Sequence, residues 1–254
     1  MIVGIILAAG KGTRLNPPAG GKDKNKVTLS FLNKPLIIYA VELLENLADK
    51  VIVVVGAFHK SVRHVLQKYR VEYAYQVKRL GTGHAVKVAL KKIIKSEKPE
   101  LILICYGDHS MFYKKTVIKN LIEEHKKVKA VLTFVTTHYE RPNDLVWGRV
   151  IRDFNGSIIK IVEQKDATDE EKKVKEVNAG FYCFDYLFLK ENMNKLKRSP
   201  VSREYYITDM IKIALDQKKK VIGHEVPFNK VGIGINRYEE LAESQKIYLS
   251  RALH

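Results

Sequence analysis

Cysteine is almost missing from this chain: Cys105 and Cys183 are the whole supply, and both sit inside apolar runs. A disulfide scaffold needs more of them in a shorter chain, so two buried thiols in a reducing compartment are expected. Proline and glycine are modest too, 7 and 15 in 254 residues, and nothing in the composition points to long disorder. No apolar run reaches the length of a membrane span. The apolar start, Ile2 to Ala9, lacks a basic leader and is broken at Gly10-Lys11-Gly12, too early for a signal peptide. A cytoplasmic location is expected. The eight histidines show no metal-ligand spacing, so zinc is not expected.

Acidic residues are outnumbered. Forty-five Lys and Arg against 28 Asp and Glu leave a formal charge of +17, which raises the local concentration of phosphates, nucleotides and nucleic acid. The basic residues are scattered over apparent helix faces (Lys91-Lys92, Lys126-Lys127, Lys172-Lys173, Lys218-Lys219-Lys220), and no single arm collects them. A solvated surface explains that pattern better than a nucleic-acid patch.

What is present is an alternation. Val3–Ala8, Val51–Val55, Leu101–Tyr106 and Ala130–Thr136 read as buried strands, and Pro35–Leu47, His59–Tyr69, Gly83–Ile94 and Lys115–His125 as amphipathic helices between them. Such βαβ units imply an α/β fold, a Rossmann-like, mostly parallel sheet flanked by helices. Ligands in these sheets bind beyond the carboxyl ends of the strands, here after Ala8, Tyr75 and Tyr106. In the second half the rhythm changes. Gly148–Arg152, Ile158–Glu163 and Val177–Phe184 are shorter strands, with a hairpin signal at Asn155-Gly156. Helices are expected at Tyr186–Leu196, Glu204–Gln217 and Arg237–Arg251, with a strand near Val221–Val226. Leu241, Ile247 and Leu249 would form an exposed apolar stripe on the last helix, a candidate homo-oligomer face. Without repeats, low-complexity tracts or linkers, one continuous fold is expected.

The first strand runs into Leu7-Ala8-Ala9-Gly10-Lys11-Gly12-Thr13-Arg14-Leu15. Small residues let consecutive backbone N–H groups surround an anion, and Arg14 adds a planar fork for phosphate oxygens. A Walker loop is absent, and the dinucleotide fingerprint fails because position 15 is Leu. Gln76 precedes Leu80-Gly81-Thr82-Gly83-His84-Ala85; an amide both donates and accepts, which suits a pyrimidine edge. Tyr106-Gly107-Asp108 ends a buried strand with a carboxylate at the crevice, and magnesium is satisfied by a few protein oxygens plus phosphates and water. Taken alone, Thr82 and Asn236 also read as helix caps, and Asp108 as a turn former.

The string LAAGKGTRL resembles the opening motif of the sugar-phosphate nucleotidyltransferases, and the resemblance extends from Leu7 to Asn236. It implies the fold of nucleotide-diphospho-sugar transferases, with a smaller substrate-facing β region. Residues 1–254 would be a single domain, with a nucleotide-binding half over 1–140, a sugar-binding half over 141–236 and a C-terminal helix over 237–254. By the resemblance Leu7, Ala8, Ala9, Gly10, Gln76, Gly81 and Thr82 bind the nucleotide, the last three reading uracil, which makes UTP the expected nucleotide. Arg14, Lys26 and Asp108 are the catalytic candidates. Lys26 would hold the triphosphate, but the family has Pro-Lys after a shorter loop where this chain has Asn25-Lys26, so Lys22 and Lys24 compete for the role. Asp108 and Asn236, the latter in Gly234-Ile235-Asn236, would hold Mg2+.

Trp147-Gly148-Arg149, Glu163-Gln164-Lys165-Asp166-Ala167, Asn178-Ala179-Gly180 and Glu204-Tyr205-Tyr206-Ile207-Thr208-Asp209 follow in family order. They resemble most the uridylyltransferases that act on N-acetylglucosamine 1-phosphate. Tyr106, Gly107, Gly148, Glu163, Asn178, Tyr206 and Thr208 would then face the sugar. Trp147 replaces the family's usual Tyr, and Ala179 a common Thr, so the exact sugar stays open. Alternatives are a relative using glucose 1-phosphate or CTP, and a catalytically silent sugar-sensing subunit, against which the joint presence of Arg14, Lys26, Asp108 and Asn236 argues. Bifunctional relatives continue into hexapeptide repeats. Those are absent from these 254 residues, so acetyl transfer is not expected of them.

Overall fold

The computed structural model describes residues 1–10, 12, 24–94 and 96–251. β1 (Ile2–Ala8) is buried along all but its first residue, as befits a strand covered by helices on both faces. A short ribbon, β2 (Ser30–Phe31) against β3 (Lys34–Pro35), leads into α1 (Leu36–Glu45). β4 (Lys50–Val55), α2 (His59–Val65), β5 (Glu72–Tyr75), α3 (Thr82–Leu90) and β6 (Leu101–Tyr106) continue the alternation. β4 and β6 lie on either side of β1 and parallel to it, and β5 extends β4 in the same sense. The chain thus leaves β1 toward one edge and returns on its other side. That reversal is the switch point at which open α/β sheets hold ligands.

After α4 (Lys115–Lys127) and β7 (Leu132–His138), β8 (Arg149–Arg152) and β9 (Ile158–Val162) form an antiparallel hairpin. α5 (Asp169–Lys172) is a single turn held by a Thr168–Glu171 capping box. β10 (Glu176–Asp185) then enters between β6 and β7, antiparallel to both. α6 (Tyr186–Asn192) and α7 (Asp209–Asp216) follow, then β11 (Val221–Glu225), parallel to β7, and α8 (Tyr238–Ser250). The strand order is β11-β7-β10-β6-β1-β4-β5, with the β8–β9 hairpin attached through β10. The mostly parallel α/β reading holds, interrupted by antiparallel β10 and the β8–β9 hairpin attached to it.

Alternate strand residues feed two apolar layers. Ile6, Val53 and Leu103 pack with Ala40 and Leu44 of α1 on one face. Ile5, Ile52 and Ile104 pack with Val86 of α3 and Met210 of α7 on the other. A third cluster, Phe31, Leu36, Met111, Phe112 and Ile235, sits outside the sheet.

Two expectations are corrected. The helix read from Glu204 begins only at Asp209, because Tyr205 stays extended, donating its N–H to Leu80 O (2.8 Å) and accepting from Gly83 N (2.8 Å). The apolar stripe on α8 is not an exposed face. Leu241 and Ile247 close over the Phe31–Phe112 cluster, and Leu249, at 54% exposure, is the only one of the three left outward. Among the described residues, no helix is long and apolar enough to cross a membrane.

Candidate active site

The expected phosphate loop begins where β1 ends. Leu7 O accepts from Gly107 N (3.1 Å), which ties β1 to the turn after β6. Asn25, the departure from Pro-Lys, is a buried clamp. Its Nδ2 lies 3.1 Å from Ala8 O, 3.0 Å from Gly10 O and 2.9 Å from Ala57 O, and its Oδ1 accepts from Val27 N. These bonds close the two ends of the loop and set Lys26 at the head of a one-turn 3-10 helix, Lys26–Thr28. Arg14 and Lys22 lie outside the described residues, and Lys24 is exposed.

Lys26 Nζ reaches Asn236 Oδ1 at 2.8 Å and also contacts the Asp108 carboxylate. The two halves of this cradle are far apart in sequence. Ile235 N donates to Asp108 O (3.0 Å), laying the late block beside the turn after β6. Glu240 of α8 accepts from the backbone N–H groups of Asn236 and Arg237. Arg237 is therefore the residue at the head of α8, and the Asn236 side chain is not spent on capping. The ammonium stands in for a cation between a carboxylate and an amide oxygen. Hard oxygen donors, few in number, fit magnesium completed by phosphates and water. No group of three or more His, Cys, Asp or Glu among the described residues offers another metal site.

The cradle forms one end of a cavity of about 320 Å³ at the carboxyl ends of β1 and β6. Tyr106, Gly148, Glu163, Asn178 and Tyr206 line the remainder. Gly180 lets β10 bulge there: its φ is +73°, and a Cβ would come within 2.5 Å of the Tyr106 ring. Within the bulge Asn178 Oδ1 accepts from Gly180 N (3.2 Å), and its Nδ2 donates to the Tyr182 hydroxyl (2.6 Å). The Tyr206 hydroxyl donates to Ser202 Oγ (2.6 Å). Glu163 Oε1 accepts from Thr208 Oγ1 (2.8 Å), so Thr208 stands behind the wall. Burial pushes Glu163 up to about 7; the Thr208 bond opposes this, while Asp209, Asp166 and Glu204 add to it. Asp209 rises to about 6 by burial, with Asp166 beside it.

The nucleotide-side residues are arranged differently. Thr82 lines the cavity, and its Oγ1 accepts from Ile207 N (3.0 Å) rather than capping α3. Gln76 and Gly81 lie off the cavity, where the buried Gln76 amide donates to Gly81 O (2.9 Å). Gly107 also stands back, with its N–H committed to β1.

His109 is a wall residue that the sequence reading missed. It lies 4.4 Å from the Trp147 ring, its Nε2 is 3.3 Å from Gly232 O, and burial takes its pKa down to about 4. Adjacency to Asp108 was the only signal available. Trp147 is itself held by Arg149, fully buried, whose guanidinium donates to Lys172 O (3.1 Å), Pro142 O (2.7 Å) and Trp147 O.

A strand-end loop, a cation cradle and a cavity at the switch point of a mostly parallel sheet describe an α/β protein that handles phosphorylated ligands. The Nucleotidyl transferase family model matches residues 3–229, and the chain belongs to that family. The bifunctional protein GlmU of Caldicellulosiruptor saccharolyticus is 39% identical over 249 residues, 96% of this chain and 51% of that protein. GlmU of Clostridium acetobutylicum is 36% identical over 97% of this chain and 52% of its own length. The chain thus spans about half the length of these relatives. UDP-glucose pyrophosphorylase, solved with UDP-glucose, has the same fold: TM-score 0.74 at 20% identity, covering 99% of this chain and 100% of that one. A candidate glucose-1-phosphate thymidylyltransferase from Bacillus anthracis superposes equally well, with a TM-score of 0.74 at 21% identity over 97% of this chain and 95% of its own.

Proposed function

We propose that this chain transfers UMP from UTP to N-acetylglucosamine 1-phosphate, forming UDP-N-acetylglucosamine and pyrophosphate. The observation that carries the reading is the Lys26–Asp108–Asn236 cradle, which lines one cavity together with Glu163 and Asn178. Such a lining suits charge neutralisation beside hydroxyl recognition. The likeness to GlmU and the order of the sugar-side blocks favour the acetamido sugar.

In the reaction a phosphate oxygen of the sugar 1-phosphate attacks the α-phosphorus of UTP in line. The bond from that phosphorus to the β-phosphate bridging oxygen breaks, and pyrophosphate leaves with the electron pair. The nucleophile is already an anion, so alignment and charge stabilisation are what the site must supply. Asp108 and Asn236 would hold Mg2+, which when bound neutralises phosphate charge. Lys26, on a flexible four-carbon stem, and Arg14 would supply positive charge to the phosphates. Asn178, fixed by Tyr182, and Glu163, fixed by Thr208, orient the sugar.

Pyrophosphate release across a grid of four nucleotides and several sugar 1-phosphates, with and without magnesium, tests the proposal. The expected maximum is UTP with N-acetylglucosamine 1-phosphate. A higher kcat/KM for glucose 1-phosphate would move the assignment to that sugar, the alternative that Trp147 and Ala179 keep in view.

A further inference from the structure

Gln76 is buried, yet its side chain has a definite orientation. Nε2 lies 2.9 Å from Gly81 O and 3.0 Å from His84 Nδ1. A carbonyl oxygen only accepts, so the amide nitrogen must be on that side. Both amide hydrogens are then committed inside the protein, one to Gly81 and one to His84. Among the described residues Oε1 has no hydrogen-bond partner, and as an acceptor it is the group of this side chain that would address a base.

The Gly81 carbonyl is itself pinned. Leu80 O accepts from Tyr205 N, Tyr205 O from Gly83 N and Thr82 Oγ1 from Ile207 N. Gly81 has φ +94°, and a Cβ there would come within 2.5 Å of Tyr205 O. His84, early in α3, is partly exposed, and its Nδ1 must be bare to accept. Burial, with Lys87, Lys91 and Arg198 nearby, holds the ring below its ordinary pKa and so keeps it neutral.

We infer that His84 is a positioning residue that locks the Gln76 amide with its oxygen toward the base, so that the site accepts uracil and rejects cytosine. Uracil presents an N–H at N3 to such an oxygen, whereas cytosine presents a bare lone pair. A flipped amide would reverse the preference. It would also set Oε1 against two other acceptors, Gly81 O and His84 Nδ1. Thymine shares the N3–H, so the lock separates imide bases from cytosine and not uracil from thymine. The inference rests on the uridylyl reading above.

The test compares kcat/KM for UTP and CTP, with N-acetylglucosamine 1-phosphate as acceptor, in the full chain and two variants. His84→Leu removes the acceptor. His84→Asn keeps one, since its Oδ1 can occupy the place of Nδ1. The wild type should prefer UTP. His84→Leu should lower the UTP:CTP ratio roughly fivefold, mainly through KM, as expected for one neutral hydrogen bond. His84→Asn should stay within about twofold of wild type on the same scale. An intact ratio in His84→Leu would overturn the lock alone, and so would an equal loss in His84→Asn, which would mark a packing effect. A wild type indifferent to UTP and CTP would overturn the uridylyl reading, and the lock with it.

Discussion

Two carboxylates sit in the same cavity and are handled in opposite ways. Asp108 is met by the ammonium of Lys26, which also donates to the Asn236 oxygen, so its charge has a partner before any substrate arrives. Glu163 has no cationic partner among the described residues. Its hydrogen-bond partner is a neutral hydroxyl, three further acids lie near, and it holds its proton up to about 7. The first arrangement keeps its carboxylate charged beside a cation. The second suits a group that meets sugar hydroxyls, where a protonated or ionised acid can donate or accept. The cavity thus holds one carboxylate paired with a cation and one paired with a neutral hydroxyl.

The largest expected effect breaks the ionic end. Asp108→Ala should reduce kcat by roughly a thousandfold, the scale of losing a dedicated electrostatic contact in a closed site. Near-normal turnover in a magnesium assay would remove Asp108 from the chemistry. The neutral end should show itself in stability. Because the folded state holds the Glu163 proton more tightly than the unfolded chain does, the cost of burying the charged form is absent below about pH 4.5. It grows as pH rises to about 7 and is then constant. Glu163→Gln should therefore gain stability over wild type across that window, by about 2–3 kcal/mol at pH 8. Denaturant midpoints measured from pH 4 to 8 that run parallel for the two proteins would contradict the assigned shift.

How legible this was follows the range of the interactions. β1, β4 and β6 are short apolar runs, and the turn after β6 that ends at Asp108 could be placed from them. Local chemistry also marked the loop after Ala8. The contacts that build the cavity cross long stretches of chain and left no periodic trace. β10 inserts between β6 and β7, Asn25 clamps three carbonyls, and Lys26 spans 210 positions to reach Asn236. Tyr205 has helical neighbours in sequence, but its backbone is claimed by Leu80 and Gly83. His109 carries no motif and packs, tilted, against the Trp147 ring. On α8, the spacing of Leu241, Ile247 and Leu249 predicts an exposed stripe, because the Phe31–Phe112 cluster that covers the first two leaves no local trace in the sequence.

Two smaller effects sharpen the contrast. Lys26→Met empties the place between Asp108 and Asn236 without removing either oxygen. Mn2+ binding without nucleotide, followed by electron paramagnetic resonance, should tighten about tenfold, because a neighbouring positive charge is gone. Unchanged affinity would mean that the ammonium does not hold the cation's place.

Thr208→Val probes the neutral end most gently. The hydroxyl donates to Glu163 Oε1 and partly offsets the burial that raises this acid. Removing it should cost about 1 kcal/mol of stability, since an acceptor loses its partner. The Glu163 carboxyl should then titrate at a higher pH than in wild type, so the stability loss with rising pH extends further. The KM for the sugar 1-phosphate should rise a few-fold, in proportion to one neutral bond, with kcat little changed. The paired and unpaired ends can be separated this way. Thr208→Val should leave Mn2+ affinity at Asp108 and Asn236 untouched, while Lys26→Met should leave the Glu163 titration where it was. Crossed effects of comparable size would show that the cavity behaves as one coupled electrostatic unit rather than two.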